Sequence, residues 1–198
     1  MSYITLRFPF NVNGGVAGEL LSTAWWFKTA THRVLSLAKQ QQALPGTKVG
    51  WVNMFRGIAY KIVPNVRYAN SAIILVMGIY ESCRELGIDF RNVELSDWLM
   101  FQQSWLEYPA KNITLKPGYE FHVTTVRYNG ITSRVVVRPT VPGSYRQLLD
   151  AIITERVEYM GRVVVRDYGV RNNRLWIHGE IHMTVPLDIY YEHMVRHK

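Results

Sequence analysis

The sequence contains one cysteine, Cys83, among 198 residues, which excludes an intramolecular disulfide and a multi-cysteine zinc site. Long hydrophobic runs are missing too. The longest, Ala72 to Tyr80, has nine residues, against the roughly 20 that a membrane-spanning helix needs. The opening Met1-Ser2-Tyr3-Ile4-Thr5-Leu6-Arg7 lacks the basic start and unbroken apolar stretch of a signal peptide. There is no glycine-rich turn leading to Lys-Ser or Lys-Thr, no Gly-x-Ser-x-Gly and no Gly-x-Gly-x-x-Gly, so phosphate-loop, serine-hydrolase and dinucleotide signatures are absent. The 15 acidic residues are scattered, whereas a two-metal nuclease needs several carboxylates at one point. The expectation is a soluble, cytoplasmic protein with no cofactor, no metal and no catalytic constellation.

Acid is scarcest in one stretch. Between Glu19 and Glu81 no acidic residue occurs, yet Lys28, Arg33, Lys39, Lys48, Arg56, Lys61 and Arg67 all fall there. The whole chain carries 23 Lys and Arg, 16 of them Arg, for a net charge of +8 and a pI near 9.7. Arginine presents a planar fork of donors that matches phosphate oxygens in pairs. Solvated faces normally mix charge signs, so a block of one sign points to a polyanionic partner, nucleic acid first.

With 48% hydrophobic residues, a chain of this length buries roughly two-thirds of its unfolded surface without staples. Residues 3 to 10 alternate as a strand, and Asn11 to Gly18, with three glycines, reads as a turn. From Glu19 to Gln42 the period becomes helical, with Leu20, Ala24, Phe27, Thr31, Val34, Leu35 and Ala38 on one stripe. Lys28, His32 and Lys39 lie beside that stripe, next to Trp25. A short helix is expected over Val52 to Ile62. Another runs from Val66 to Leu86, capped by Gly87, with Tyr68, Ala72, Leu75, Val76, Ile79, Cys83 and Leu86 inward. Cys83 in this stripe reads as a core residue. Ser96-Asp97 suggests a further helix from Trp98 to Leu106.

Strands are expected at 112–115, 119–128 and 131–138, with Asn129-Gly130 as a hairpin signal. Ser144 to Met160 reads as a helix stopped by Gly161, followed by strands at 162–167 and 174–185 joined across 168–173. The first strand needs partners that only the late strands supply. The expected fold is therefore α+β: a small antiparallel β-barrel from residues 1–12 and 108–198, interrupted by a helical lobe at 13–107.

In the last strand Trp176, His178, Glu180 and His182 share a face opposite Leu175, Ile177, Ile181 and Met183. Two imidazoles and a carboxylate could form a metal triad. Alternation alone already places polar groups there, so no metal site is expected.

Several stretches resemble the transposon-encoded TnpB (OrfB) proteins, ancestors of the compact type V CRISPR effectors. They are Tyr60 to Ala72, Ile79 to Arg84, Gly161 to Arg166 and Arg174 to Met183. The order of segments matches over nearly the whole chain. The resemblance implies a wedge β-barrel with an inserted recognition lobe that grips guide RNA and reads a short motif beside the DNA target. In that family a RuvC-like domain cuts. Its acidic residues would follow the last strand, and the family's cysteine-rich zinc element has no counterpart here, so cleavage is not carried over.

The resulting expectation is a non-catalytic nucleic-acid-binding module, with a separate nuclease domain or protein as a possible companion. Lys28, Arg33, Lys39, Lys48, Arg56, Lys61 and Arg67 would meet phosphates, with Trp25 stacking on a base. Arg127, Arg134, Arg138, Arg162, Arg166, Arg171 and Arg174 would add contacts from the barrel. Two other readings are a module that binds an acidic protein and, more remotely, a small hydrolase using His178, Glu180 and His182.

Overall fold

A computed structural model describes residues 2–194. The first strand, β1 (Tyr3–Asn13), runs three residues past its expected end and leads directly into α1 (Gly14–Lys39). The expected turn shrinks to Gly14, whose φ of 66° is the left-handed conformation glycine tolerates best. All seven residues of the predicted α1 stripe are buried. Two more helices follow, α2 (Lys48–Ile62) and α3 (Val66–Leu86). Thr47 caps α2 through Gly50 N at 3.1 Å, and Asn65 caps α3 through Tyr68 N at 3.0 Å. At the far end of α3, Gly87 turns left-handed and Ile88 N reaches back to Cys83 O at 2.9 Å. Cys83 is buried as expected, whereas Leu86 is 72% exposed.

Residues 99–107 depart from the expected helix and form strand β2 (Leu99–Glu107). Leu99, Met100, Phe101, Gln103 and Ser104 are all buried, so both faces are covered and no alternation marks the strand. The sheet therefore begins before the expected 107/108 boundary. The strands β3 (Ile113–Lys116), β4 (Glu120–Val126) and β5 (Thr132–Val137) fall where expected, and Gly130 at φ 81° turns the β4–β5 loop.

Helix α4 (Gly143–Thr154) is shorter than expected, and Gly161 lies inside β6 (Tyr159–Arg171). A methyl group on Gly161 would stand 2.7 Å from Ile113 Cγ2, so glycine here admits a neighbour and does not stop a helix. The loop expected over 168–173 contracts to Asn172-Asn173, with φ of 52° and 59°, before β7 (Arg174–Pro186). Two left-handed residues in a two-residue loop match the twist of the flanking strands. The short α5 (Leu187–Met194) ends the described chain.

The fold is α+β with antiparallel sheets. The strands form two of them, ordered β1-β7-β6-β2 and β3-β4-β5, and no closed barrel forms among the described residues. Helix α1 packs against β2, β4 and β7, touching both sheets. Buried polar bonds tie the small sheet down. Tyr68 Oη donates to Thr124 O at 2.6 Å, Leu115 N donates to Tyr159 Oη at 2.7 Å, and Asn112 N donates to Gln103 Oε1 at 2.7 Å. Burial pushes the Tyr159 phenol up to about 12. Among the described residues no helix is long and apolar enough to cross a membrane.

Candidate nucleic-acid interface

Two of the seven helical cations, Lys28 and Arg67, are paired with acids. The Lys28 ammonium meets the Asp97 carboxylate and lies 5.0 Å from the centre of the Trp25 ring, which is 41% exposed. That contact holds the Asp97 carboxyl below its usual range. Burial, then the Lys28 charge, lowers the pKa of His32 on the same side of α1. Arg67 Nη1 pairs with Glu107 at 2.8 Å. Lys48 Nζ sits 5.9 Å from the Trp105 ring centre. Arg33, Lys39, Arg56 and Lys61 have no acidic group within 4.0 Å among the described residues. Arg56 and Lys61, five residues apart on α2, project about 140° apart around the helix axis. The acid-free segment is thus partly neutralised by acids that follow it, and Arg56 and Lys61 point in different directions.

The later arginines divide between the two sheets. Arg134 and Arg138 lie on β5 or at its end, where Arg134 Nη2 donates to Lys111 O at 3.3 Å and Arg138 Nε pairs with Glu120 at 3.1 Å. Arg127, beside them, pairs with Glu19 at 2.5 Å. The other four, Arg162, Arg166, Arg171 and Arg174, belong to the β6–β7 hairpin in the large sheet.

Strand alternation gives this sheet two chemical faces. Leu6, Phe8, Phe10, Ile177, Ile181 and Met183 point inward, and the outward face carries Thr5, Arg7, His178, Glu180, His182 and Arg162. One row crosses all four strands: Arg7, His182, Arg162 and Gln102 are successive partners. Arg162 donates from Nε and Nη2 to Gln102 Oε1 at 2.9 and 2.6 Å. Burial, with Arg7 and Arg162 on either side, lowers the pKa of His182. Its neutral ring then donates from Nε2 to Glu180 Oε1 at 2.9 Å, and Arg166 Nη2 reaches the same oxygen at 2.8 Å. Glu180 is thus engaged by two donors and held below its ordinary range. His178 is turned away from this group, its ring 4.8 Å from that of Trp176. Among the described residues no three His, Cys, Asp or Glu side chains converge as metal ligands.

At the end of this face a hollow of about 350 Å³ is lined by Asn11, Val12 and Asn13 of β1 and by Arg171, Asn172, Arg174, Trp176 and His178 of the hairpin. Arg171 and Arg174 are exposed cross-strand partners with no acid within 4.0 Å among the described residues. Trp176 faces Gly169 across the strands. A methyl group there would stand 2.8 Å from Trp176 Cζ2, so the indole rests against bare backbone. Sequence reasoning named Arg171 and Arg174, but assigned no nucleic-acid-binding role to Arg7 or Trp176, and weighed His178 only as a metal ligand or hydrolase residue. The alternation of β1 and β7 carried the signal for their common face. Only the register brings them together.

Two uncharacterized proteins of Aeropyrum pernix are similar to this chain, each 60% identical over all 198 residues. The chain covers 53% of one and 47% of the other, about half the length of these relatives. Residues 16–195, which begin after β1 and take in α1 from its third residue onward, match one family model, and the chain belongs to the SSO2105 N-terminal domain family.

Proposed function

We propose that this chain is a non-catalytic nucleic-acid-binding module whose interface is the outward face of the four-stranded sheet. The observation that carries the reading is the charge on that face. Arg7, Arg162, Arg166, Arg171 and Arg174 share it with His178 and His182, against two acids, Asp167 opposite His178 and Glu180, which is already engaged by two donors. A rigid sheet fixes these guanidiniums in rows, and rows of arginine suit the regular charge spacing of a phosphate backbone. Trp176 and His178 add ring faces, on which unpaired bases stack regardless of sequence.

The resemblance to the TnpB proteins supports the same reading, with the large sheet taking the part that the family gives to its wedge barrel. Guide RNA, target DNA or both are the proposed ligands, and catalysis is assigned to no residue of this chain.

The test is a salt titration of single-stranded oligonucleotide binding. Each neutralised phosphate contributes about −0.7 to the slope of log K against log salt. Arg7→Gln with Arg174→Gln removes two exposed cations from this face and is expected to flatten the slope by about 1.4. A slope unchanged in the folded double variant would overturn this placement, and the absence of any oligonucleotide binding would overturn the function.

A further inference from the structure

The hollow at the hairpin tip has a charge arrangement that the rest of the sheet face does not share. Arg171 and Arg174 close the two-residue turn as a directly opposed pair. Like charges in that position destabilise a hairpin. Neither has an acidic partner among the described residues, although Asp167 lies opposite His178 two rows away and Glu180 serves Arg166 one row further on. A third positive source adjoins them. A methyl group on Gly14 would stand 3.0 Å from Arg174 Nη2, so this guanidinium lies over the first residue of the 26-residue helix α1. That helix has no acidic residue in its first turn and no side-chain cap from Asn13. Two guanidiniums and the positive end of a helix therefore add their fields over one concave space.

The next row of the hairpin is aromatic. Trp176 is seated against Gly169, with the His178 ring 4.8 Å away and tilted by 49°. Asn11 and Asn13 of β1 add amide donors and acceptors to the lining. A volume of about 350 Å³ lies within the range of small-molecule sites.

We propose that this hollow binds the phosphorylated end of a nucleic-acid strand, with the terminal phosphate between Arg171 and Arg174 and the last base against Trp176. The inference rests on the nucleic-acid reading above and adds a specific subsite to it. A terminal phosphomonoester carries about 1.5 to 2 negative charges at neutral pH, against one for an internal diester. It also offers three free oxygens, enough for both guanidinium forks. The excess positive charge of the hollow therefore matches a strand end better than a passing backbone.

The experiment compares single-stranded oligothymidylates that differ only at one end: 5′-phosphate, 3′-phosphate or hydroxyl at both. Inorganic phosphate and thymidine 5′-monophosphate serve as competitors. Binding to the intact chain is followed by anisotropy, with circular dichroism as the folding control. A terminal phosphate at one end is expected to tighten binding about tenfold, the scale of a charge-assisted hydrogen bond. Arg171→Gln with Arg174→Gln is expected to remove that preference while the hydroxyl-ended strand still binds. Trp176→Ala is expected to weaken the phosphorylated strand, and the mononucleotide should compete better than inorganic phosphate. Equal affinity for phosphorylated and hydroxyl-ended strands, both bound, overturns the subsite and leaves the function standing. A preference that survives the double variant overturns it as well. Binding of phosphate alone, with no oligonucleotide bound, overturns both readings.

Discussion

His182 is a histidine kept neutral by its surroundings. It is 7% exposed, and Arg7 of β1 and Arg162 of β6 face it from either side, while Glu180 of its own strand accepts from its Nε2. Burial and the two arginines lower its pKa from the ordinary 6.5, against the opposing pull of Glu180. Below that ordinary value the unfolded chain takes up a proton that the folded site resists. The unfolded state then binds more protons, so stability falls as pH drops from about 6.5 toward the folded value. Urea midpoints near pH 7.5 and 5.5 check this. The parent is expected to lose more stability over the interval than His182→Gln, and equal losses would remove His182 from the account. His32, also shifted downward, contributes the same slope to both proteins. Glu180 is shifted down from 4.5, so its contribution is lost only at lower pH.

At the scale of elements, the small sheet owes its position to a few buried polar bonds. Tyr68 is fully buried on α3, its ring 5.3 Å from that of Phe101 on β2, and its hydroxyl reaches Thr124 O on β4. One side chain thus joins a helix to both sheets. Tyr68→Phe keeps the ring packing and leaves a buried carbonyl short of a donor, so it is expected to cost about 1–3 kcal/mol. Denaturant unfolding measures the loss; a cost below about 0.5 kcal/mol would mean the bond is not holding the sheet in place. The helical wheel already showed Tyr68 inward, and it also showed the stripe of α1. β2 was not legible, because a strand buried on both faces has no period of two, and its Ser96-Asp97 prelude imitates a helix start. Gly161 misled for a related reason. A glycine that admits Ile113 looks, in one dimension, like a glycine that ends a helix.

The whole molecule redistributes the charge that the linear sequence displays. Lys28 and Asp97 are 69 residues apart, and only folding sets them together. The acid-free run therefore overstated the helical block, while the arginine rows of the large sheet depended on a register that composition cannot reveal. This gives a comparison between surfaces. Lys28 and Lys39 lie three turns apart on one side of α1, as the spacing predicts, but the Lys28 ammonium is occupied by Asp97 and Lys39 is half-buried. Two free lysines on a phosphate track would account for about 1.4 of the salt slope. With one engaged and the other half-buried, Lys28→Gln with Lys39→Gln is expected to change the slope by less than about 0.7, and by less than the Arg7→Gln, Arg174→Gln pair. Glutamine preserves helix propensity, so circular dichroism should be unchanged. Because phosphate contacts position a strand without reading it, both variants should behave alike across oligonucleotide sequences. A flattening by about 1.4 in the lysine pair would mean that nucleic acid displaces Asp97 from Lys28 and runs along α1. The interface would then belong to the helical block and not to the sheet.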